Sequence, residues 1–142
     1  MSKVNGALPQ AEALVQVPFH DVDLMAVAWH GHYLKYFEIG RGALLDVFSY
    51  NYQEMKDSGY AWPVVDVHLR YVKPARLGQK LRVTAMLKEY DLRLKINYLI
   101  TDALTGEKLT KGHTIMVPVD IETGELYLGT PKILLDKLGI DE

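Results

Sequence analysis

The chain has 142 residues, of which 49% are hydrophobic and 24% charged. This balance predicts a single globular domain over residues 1–142, with residues 1–10 flexible. The net charge is −2 and the basic residues are scattered, which argues against nucleic-acid and anionic-membrane partners. No apolar run approaches the ~18 residues of a membrane span, so we expect a cytoplasmic protein. Because the chain has no cysteine, disulfides, thiolate metal sites and a cysteine nucleophile are excluded.

The first half of the chain predicts one strand and one long helix. Apolar and other residues alternate over residues 13–19, which indicates a strand, and residues 21–31 follow as a structured loop without a clean period. Apolar residues then recur at helical spacing over residues 32–50. Gly40 and Gly42 lie inside that helix, each at a cost of about 1 kcal/mol relative to alanine. We therefore expect another element to pack closely against both glycines.

The second half of the chain predicts a run of strands. After a polar turn region at 51–59, alternation predicts strands over the segments 65–71, 81–87, 92–100 and 109–117. A short helix over 131–138 closes the chain, with Pro131 at its start and Gly139 after its end. The resulting fold class is α+β, with a curled antiparallel sheet of about five strands around one long central helix. Pairing of the sheet edges predicts a homo-oligomer.

The loop between the first strand and the helix carries the residues suited to chemistry. It contains Asp21 and Asp23 and ends with His30, Gly31 and His32, where the helix is predicted to start. A helix N-terminus presents unpaired N–H groups and about half a positive charge. A carboxylate a few residues upstream can face the same point, and the two together supply what ester-type hydrolysis needs.

The residues of this segment resemble those of a known family. The spacing is carried by Asp21, Asp23, Val27, His30, Tyr33, Glu38 and Arg41. It resembles the motif of the hotdog-fold acyl-CoA thioesterases, which include the 4-hydroxybenzoyl-CoA thioesterases and related short acyl-CoA hydrolases. The resemblance implies the hotdog fold over nearly the whole chain and hydrolysis of an acyl-CoA to the free acid and CoA.

The resemblance also implies roles for single residues. Asp23 matches the catalytic carboxylate, as general base or nucleophile, and the backbone N–H groups at His30 and Gly31 match the oxyanion hole. Substrate contacts are implied at Tyr33 and Glu38, and contacts to CoA phosphates at Lys73 and Arg76. No metal or redox cofactor is expected, since CoA arrives as part of the substrate, and the expected partners are acyl-CoA and further copies in a homodimer or homotetramer.

The residues implied to contact the substrate also have simpler, structural interpretations. Tyr33 also fits a core position, Glu38 can form a simple ion pair with Arg41, and Lys73 and Arg76 can belong to a solvated turn. Asp21 is expected to order the loop by accepting backbone hydrogen bonds.

Two positions depart from the family motif. Ala26 stands where the family has glycine, and a positive φ there would cost alanine about 1 kcal/mol. His32 stands where relatives often have asparagine, a good N-cap, so capping of the helix is open.

Three other interpretations of the loop remain open. A hotdog dehydratase or hydratase would use His30 with an acid for proton transfer to carbon, and an acyl-CoA-binding module would have kept the fold without activity. A metal site is the third. Its candidate ligands are His20, Asp21, Asp23, His30 and His32. His30 and His32 are two residues apart, which places them on different sides of a helix and disfavours the metal site.

Overall fold

The computed structural model describes residues 8–28 and 32–140, and its elements follow the expected order of strand, long helix and run of strands. The strands are β1 (Gln10–Gln16), β2 (Tyr60–Ala61), β3 (Val64–Tyr71), β4 (Lys80–Glu89), β5 (Leu94–Asp102), β6 (Lys108–Met116) and β7 (Val119–Asp120). The helices are α1 (Tyr33–Val47), α2 (Tyr52–Asp57) and α3 (Lys132–Leu138). Of the start that we expected to be flexible, residues 1–7 lie outside the described ranges, and Gln10 already belongs to β1.

The main sheet has five antiparallel strands in the order β1-β4-β5-β6-β3, and β2 and β7 form a small second sheet. Alternate side chains of β4 and β5 are buried beneath α1, as the alternation predicted. The ring of Phe37 on α1 stacks on Tyr98 of β5, with centroids 4.4 Å apart. This arrangement is the hotdog fold, in which a sheet curls around one central helix, and it confirms the predicted fold class.

Two glycines permit this close packing of α1 on the sheet. A Cβ atom at Gly40 would lie 2.7 Å from Val83 Cγ1 on β4, and a Cβ atom at Gly112 would lie 3.0 Å from the Phe37 ring and 2.0 Å from the carbonyl oxygen of His68. The expectation of a close neighbour is therefore confirmed at Gly40. It is wrong at Gly42, where nothing lies within 4 Å of the added atom.

Several element boundaries differ from the predictions for local reasons. Strand β1 ends at Gln16, ahead of Pro18, and Phe19 is 79% exposed in a single 3₁₀ turn. Helix α1 ends at Val47 because the chain leaves helical geometry at Ser49, which has a φ of 56°. The stretch predicted as a turn after residue 51 instead contains α2, whose N-terminus is closed by a capping box between Asn51 and Glu54. No helix of the described ranges is both long and apolar enough to cross a bilayer.

Strand β3 forms one edge of the main sheet and is exposed on both faces. Only Leu69 of its eight residues is even partly buried, whereas Val65 is 58% exposed and Val67 40% exposed. An apolar edge strand with unpaired backbone groups is a surface that proteins normally cover or pair.

We expect alanine substitutions at the two helix glycines to have opposite effects. Gly40→Ala should lower the free energy of unfolding by about 1–3 kcal/mol, because the new methyl group collides with Val83. Gly42→Ala should raise it by up to about 1 kcal/mol, because alanine favours the helix and meets open space. Chemical denaturation of the two variants measures both changes. Equal effects would contradict the packing of α1 on β4.

Candidate active site

The loop after β1 is a tight hairpin. Val22 and Ala28 form an antiparallel bridge, and the amide of Asp23 donates to the carbonyl of Val27 at 3.0 Å. The turn is closed by the amide of Ala26, which donates to the carbonyl of Asp23 at 3.0 Å. Ala26 has a φ of 57°, so the position where the family has glycine adopts the left-handed conformation. Alanine is retained there at a cost of roughly 1–2 kcal/mol.

The hairpin is bonded to the connection between β3 and β4. The amide of Ala28 donates to the carbonyl of Ala75 at 2.7 Å, and the amide of Leu77 donates to the carbonyl of Ala26 at 3.0 Å. The amide of Ala75 in turn donates to the hydroxyl of Tyr33, the first residue of α1, at 2.8 Å. The hairpin, the β3–β4 connection and the start of α1 therefore meet at one place.

The Asp23 side chain stands exposed at the tip of the hairpin. Its Oδ1 atom accepts a hydrogen bond from the amide of Met25 at 2.8 Å and a longer one from the amide of Val27 at 3.5 Å. These bonds orient the carboxylate by local geometry alone. Within the described ranges Oδ2 accepts no hydrogen bond and remains open to a substrate or a water molecule.

The Asp21 side chain is buried and joins the hairpin to α1. Its Oδ1 atom accepts a hydrogen bond from Lys35 Nζ at 2.6 Å, and its Oδ2 atom accepts one from the hydroxyl of Tyr36 at 2.8 Å. The imidazoles of His20 and His32 lie 3.6 Å from the same Oδ1. The role expected of Asp21, acceptance of local backbone hydrogen bonds, was therefore wrong. Asp23 has that role, and Asp21 binds side chains that lie on the helix.

The surroundings of Asp21 keep its carboxylate ionised. Burial alone would raise its pKa, but the hydrogen bonds from Lys35 and Tyr36, together with the charges of Lys35 and His32, lower the pKa below its usual value. Burial and the bond to Asp21 raise the pKa of Tyr36, so its hydroxyl stays protonated and continues to donate. This pair is suited to holding structure and not to proton transfer.

Three of the predicted substrate contacts lie beside the hairpin. Tyr33 is buried and lines a cavity of about 130 Å³ together with Val27, Tyr71 and Lys73. The Lys73 ammonium is paired with Glu107, and the backbone of Arg76 forms a bridge to Val27 while its side chain is exposed. The hydroxyl of Tyr33 contributes to structure through its bond to the β3–β4 connection.

The fourth predicted contact, Glu38, is paired within α1. Glu38 is exposed and lies 3.4 Å from Arg41. Arg41 itself is 3% exposed and donates two hydrogen bonds to the hydroxyl of Tyr52. The geometry therefore favours a structural ion pair between Glu38 and Arg41, which is the simpler interpretation that the sequence also allowed.

The start of α1 is only partly described. His30 and Gly31, the predicted oxyanion donors, lie outside the described residues. His32 occupies the N-cap position with helical backbone angles and makes no side-chain capping bond. In residues 8–28 and 32–140, no group of three or more His, Asp or Glu side chains is arranged to hold a metal ion.

A sheet curled around one helix, with an acid-bearing hairpin before that helix, is an arrangement of the hotdog class of folds. The family described as the Thioesterase-like superfamily matches residues 17–136. The chain belongs to this superfamily and is a thioester hydrolase.

Known proteins similar to this chain agree with that membership. A Synechocystis protein provisionally named an esterase is 30% identical over 128 residues, covering 89% of this chain and 77% of its own length. YneP of Bacillus subtilis, provisionally named an acyl-CoA thioesterase, is 31% identical over 77 residues, covering 54% of this chain and 56% of YneP. The solved structure of the DHNA-CoA thioesterase of Staphylococcus aureus has a TM-score of 0.77 at 25% identity, covering 84% of this chain and 80% of that protein.

The Asp21 anchor should contribute stability that depends on pH. Asp21→Asn should lower the free energy of unfolding by about 2 kcal/mol near neutral pH, because it removes one charge of a partly buried ion pair. The folded-state pKa of Asp21 is depressed, so this contribution is complete above the unfolded-state value of about 3.9 and is lost as pH falls through the folded-state pKa. Denaturation at a series of pH values should show the gap between wild type and variant closing in acid.

Tyr36→Phe is the matched control for this experiment. It removes one hydrogen bond, worth about 1 kcal/mol, and leaves the Asp21 charge in place. Its stability should therefore keep an acid dependence of the same sign as the wild type, smaller because the Tyr36 bond no longer helps to lower the pKa of Asp21. A gap between wild type and Asp21→Asn that stays constant across pH would contradict an ionised anchor.

Proposed function

We propose that the chain hydrolyses the thioester bond of an acyl-CoA to the free acid and CoA, with Asp23 as general base or nucleophile. One observation carries the proposal. Asp23 presents an oriented, open carboxylate at the tip of a hairpin, and the neighbouring Asp21 is fully engaged in joining that hairpin to the first turns of α1. Of the two acids of the motif, Asp23 would therefore perform the chemistry, and Asp21 would hold the hairpin against α1.

The proposed reaction follows from this placement. In one route Asp23 takes a proton from a water molecule that attacks the carbonyl carbon, and the CoA thiolate leaves when the tetrahedral intermediate collapses to the acid. In the other route Asp23 attacks the carbonyl carbon itself and the CoA thiolate leaves, which forms a mixed anhydride that water then hydrolyses to the free acid and the Asp23 carboxylate. Backbone N–H groups at His30 and Gly31, together with the dipole of the 15-residue α1, would stabilise the oxyanion. No cofactor is needed beyond the CoA of the substrate, and we place the reaction in the cytoplasm.

The names of similar proteins support acyl-CoA as the substrate class. YneP is named for acyl-CoA hydrolysis, and the Staphylococcus aureus protein for hydrolysis of DHNA-CoA.

We further propose that the active form is a homodimer or a higher homo-oligomer that covers the hairpin and pairs the free backbone edge of β3, leaving the outer face of the sheet open. Leu24 and Met25 beside the catalytic carboxylate are 104% and 78% exposed, and Phe19 is 79% exposed. An apolar patch of this kind normally marks a binding surface. Strand β3 is an exposed edge in every copy. In a dimer with a two-fold axis, each copy can therefore place the same surface against the other.

A charge on the edge strand should weaken self-association. Val65→Lys places an ammonium on the exposed edge of β3 and should shift the oligomer toward monomer by at least about tenfold in dissociation constant. Light scattering after size-exclusion chromatography over a dilution series measures the shift. Leu104→Lys, in the exposed turn between β5 and β6, is the control and should leave assembly unchanged. A wild type that is monomeric at all concentrations would contradict the proposed assembly.

Substitutions at Asp23 separate chemistry from loop structure. Asp23→Asn keeps an oxygen that can accept from the amide of Met25 and loses only the charge, whereas Asp23→Ala loses both. Both variants should lower turnover at least ~100-fold, because neither a neutral amide nor a methyl group can take a proton or attack the carbonyl carbon. Release of CoA thiol from short, aromatic and long acyl-CoAs measures turnover.

This test has two controls: substitution of an acid distant from the site, and a measurement of folding stability. Asp46→Asn, on the exposed face of α1, should keep full activity. Unfolding midpoints should show that Asp23→Asn is as stable as the wild type. If Asp23→Asn retained full turnover while Asp23→Ala lost it, Asp23 would be a loop-ordering residue and the chemical role would be refuted.

A further inference from the structure

The face of the main sheet turned away from α1 carries a basic pocket of about 520 Å³. The pocket lies across β3, β6 and β5, so it is separated from the buried core by the sheet itself. Its lining includes four cationic side chains and two imidazoles but no Asp or Glu among the described residues. We call it the outer-face pocket.

The strand register concentrates positive charge at one end of the outer-face pocket. Arg70 on β3 stands directly opposite Lys111 on β6, and Lys108 lies at the start of the same strand. Like charges on opposite positions of a sheet repel. None of these three side chains forms an ion pair within the described part of the chain, and the nearest acid on this face of β3, Asp66, lies beyond His68. These cations repel one another, and a bound anion would relieve the repulsion.

The other end of the outer-face pocket offers flat rings and an unused acceptor. The imidazoles of His68 and His113 are stacked with centroids 5.4 Å apart. Asn97 stands opposite His113, and its Oδ1 atom is buried without a hydrogen-bond partner. A buried acceptor without a donor is destabilising, and a ligand N–H or O–H would satisfy it.

We propose that the outer-face pocket binds a phosphorylated nucleotide. Its phosphates would lie between Arg70, Lys108 and Lys111, where two or more cations surround one site. Its base would lie against the imidazoles and donate to Asn97 Oδ1. The observed charge, rings and vacant acceptor correspond to the three parts of such a ligand.

Two sources supply this ligand chemistry, a free nucleotide and the nucleotide end of CoA. Arg70 precedes Tyr71, whose ring lies 5.0 Å from that of Tyr33 at the start of α1. The basic end of the outer-face pocket therefore lies at the same end of the sheet as the hairpin. A CoA whose thioester lies at the hairpin is thus one source of the nucleotide. This source rests on the proposed acyl-CoA hydrolysis, whereas binding of a free nucleotide does not.

Direct binding measurements test the outer-face pocket. Calorimetry with ADP and with CoA compares the wild type with the double variant Arg70→Ser/Lys111→Ser. Loss of two charge-assisted contacts should weaken binding of at least one of the two ligands by about tenfold or more. The control Lys56→Ser/Lys80→Ser removes two exposed cations outside the pocket and should stay within about twofold of wild type. Lys108→Ser is the second pocket variant, and unfolding midpoints establish that all variants are folded.

Kinetics with two substrates distinguish the sources. If the nucleotide end of CoA occupies the pocket, the double variant should raise the KM for an acyl-CoA and leave the KM for the matching acyl-pantetheine unchanged. If a free nucleotide occupies it, ADP binding should weaken while both KM values stay the same. Wild-type affinity for ADP and CoA in both pocket variants would overturn the proposal, as would equal weakening in the control. Failure of the hydrolysis proposal appears separately, as absence of thiol release from either substrate by wild type.

Discussion

A single buried carboxylate, that of Asp21, joins the hairpin to helix α1 in the candidate active site. Asp21 accepts hydrogen bonds from Lys35 and Tyr36, so moving the hairpin away from the start of α1 would break an ion pair and leave the buried Tyr36 hydroxyl without its acceptor. The hairpin is also bonded to the β3–β4 connection through Ala28. With both attachments in place, the Asp23 carboxylate needs only its own turn to be oriented. The position of the candidate catalytic group thus depends on a neighbour that performs no chemistry.

The order of elements could be predicted from periodicity because the core is built from it. Strands β4 and β5 bury every second residue, and helix α1 buries every third to fourth residue. The sequence shows both periods directly. The positive φ at Ala26 was foreseeable as a consequence of the family's glycine. Helix α2 was missed although Asn51 and Glu54 form a capping box, since the segment after them is too short and polar to show a period.

The roles of the two acids were harder to assign from the sequence. Aspartate is common in turns, and nothing local distinguishes an Asp that binds its own turn from one that binds a helix. The partners of Asp21 lie 14 and 15 residues further along the chain. Likewise, alternation in β3 predicts a strand but does not tell whether its outer edge meets solvent or a second copy. Such features depend on tertiary and quaternary contacts, which no local pattern contains.

A crystal structure with a thioether analogue of an acyl-CoA, which cannot be hydrolysed, tests the central claim most directly. We expect the carbon that replaces the thioester carbonyl to lie against the Asp23 carboxylate on one side and the backbone amides at the start of α1 on the other. A complex in which this carbon binds elsewhere, while the Asp23 carboxylate faces solvent in every subunit, would contradict the assignment of the active site.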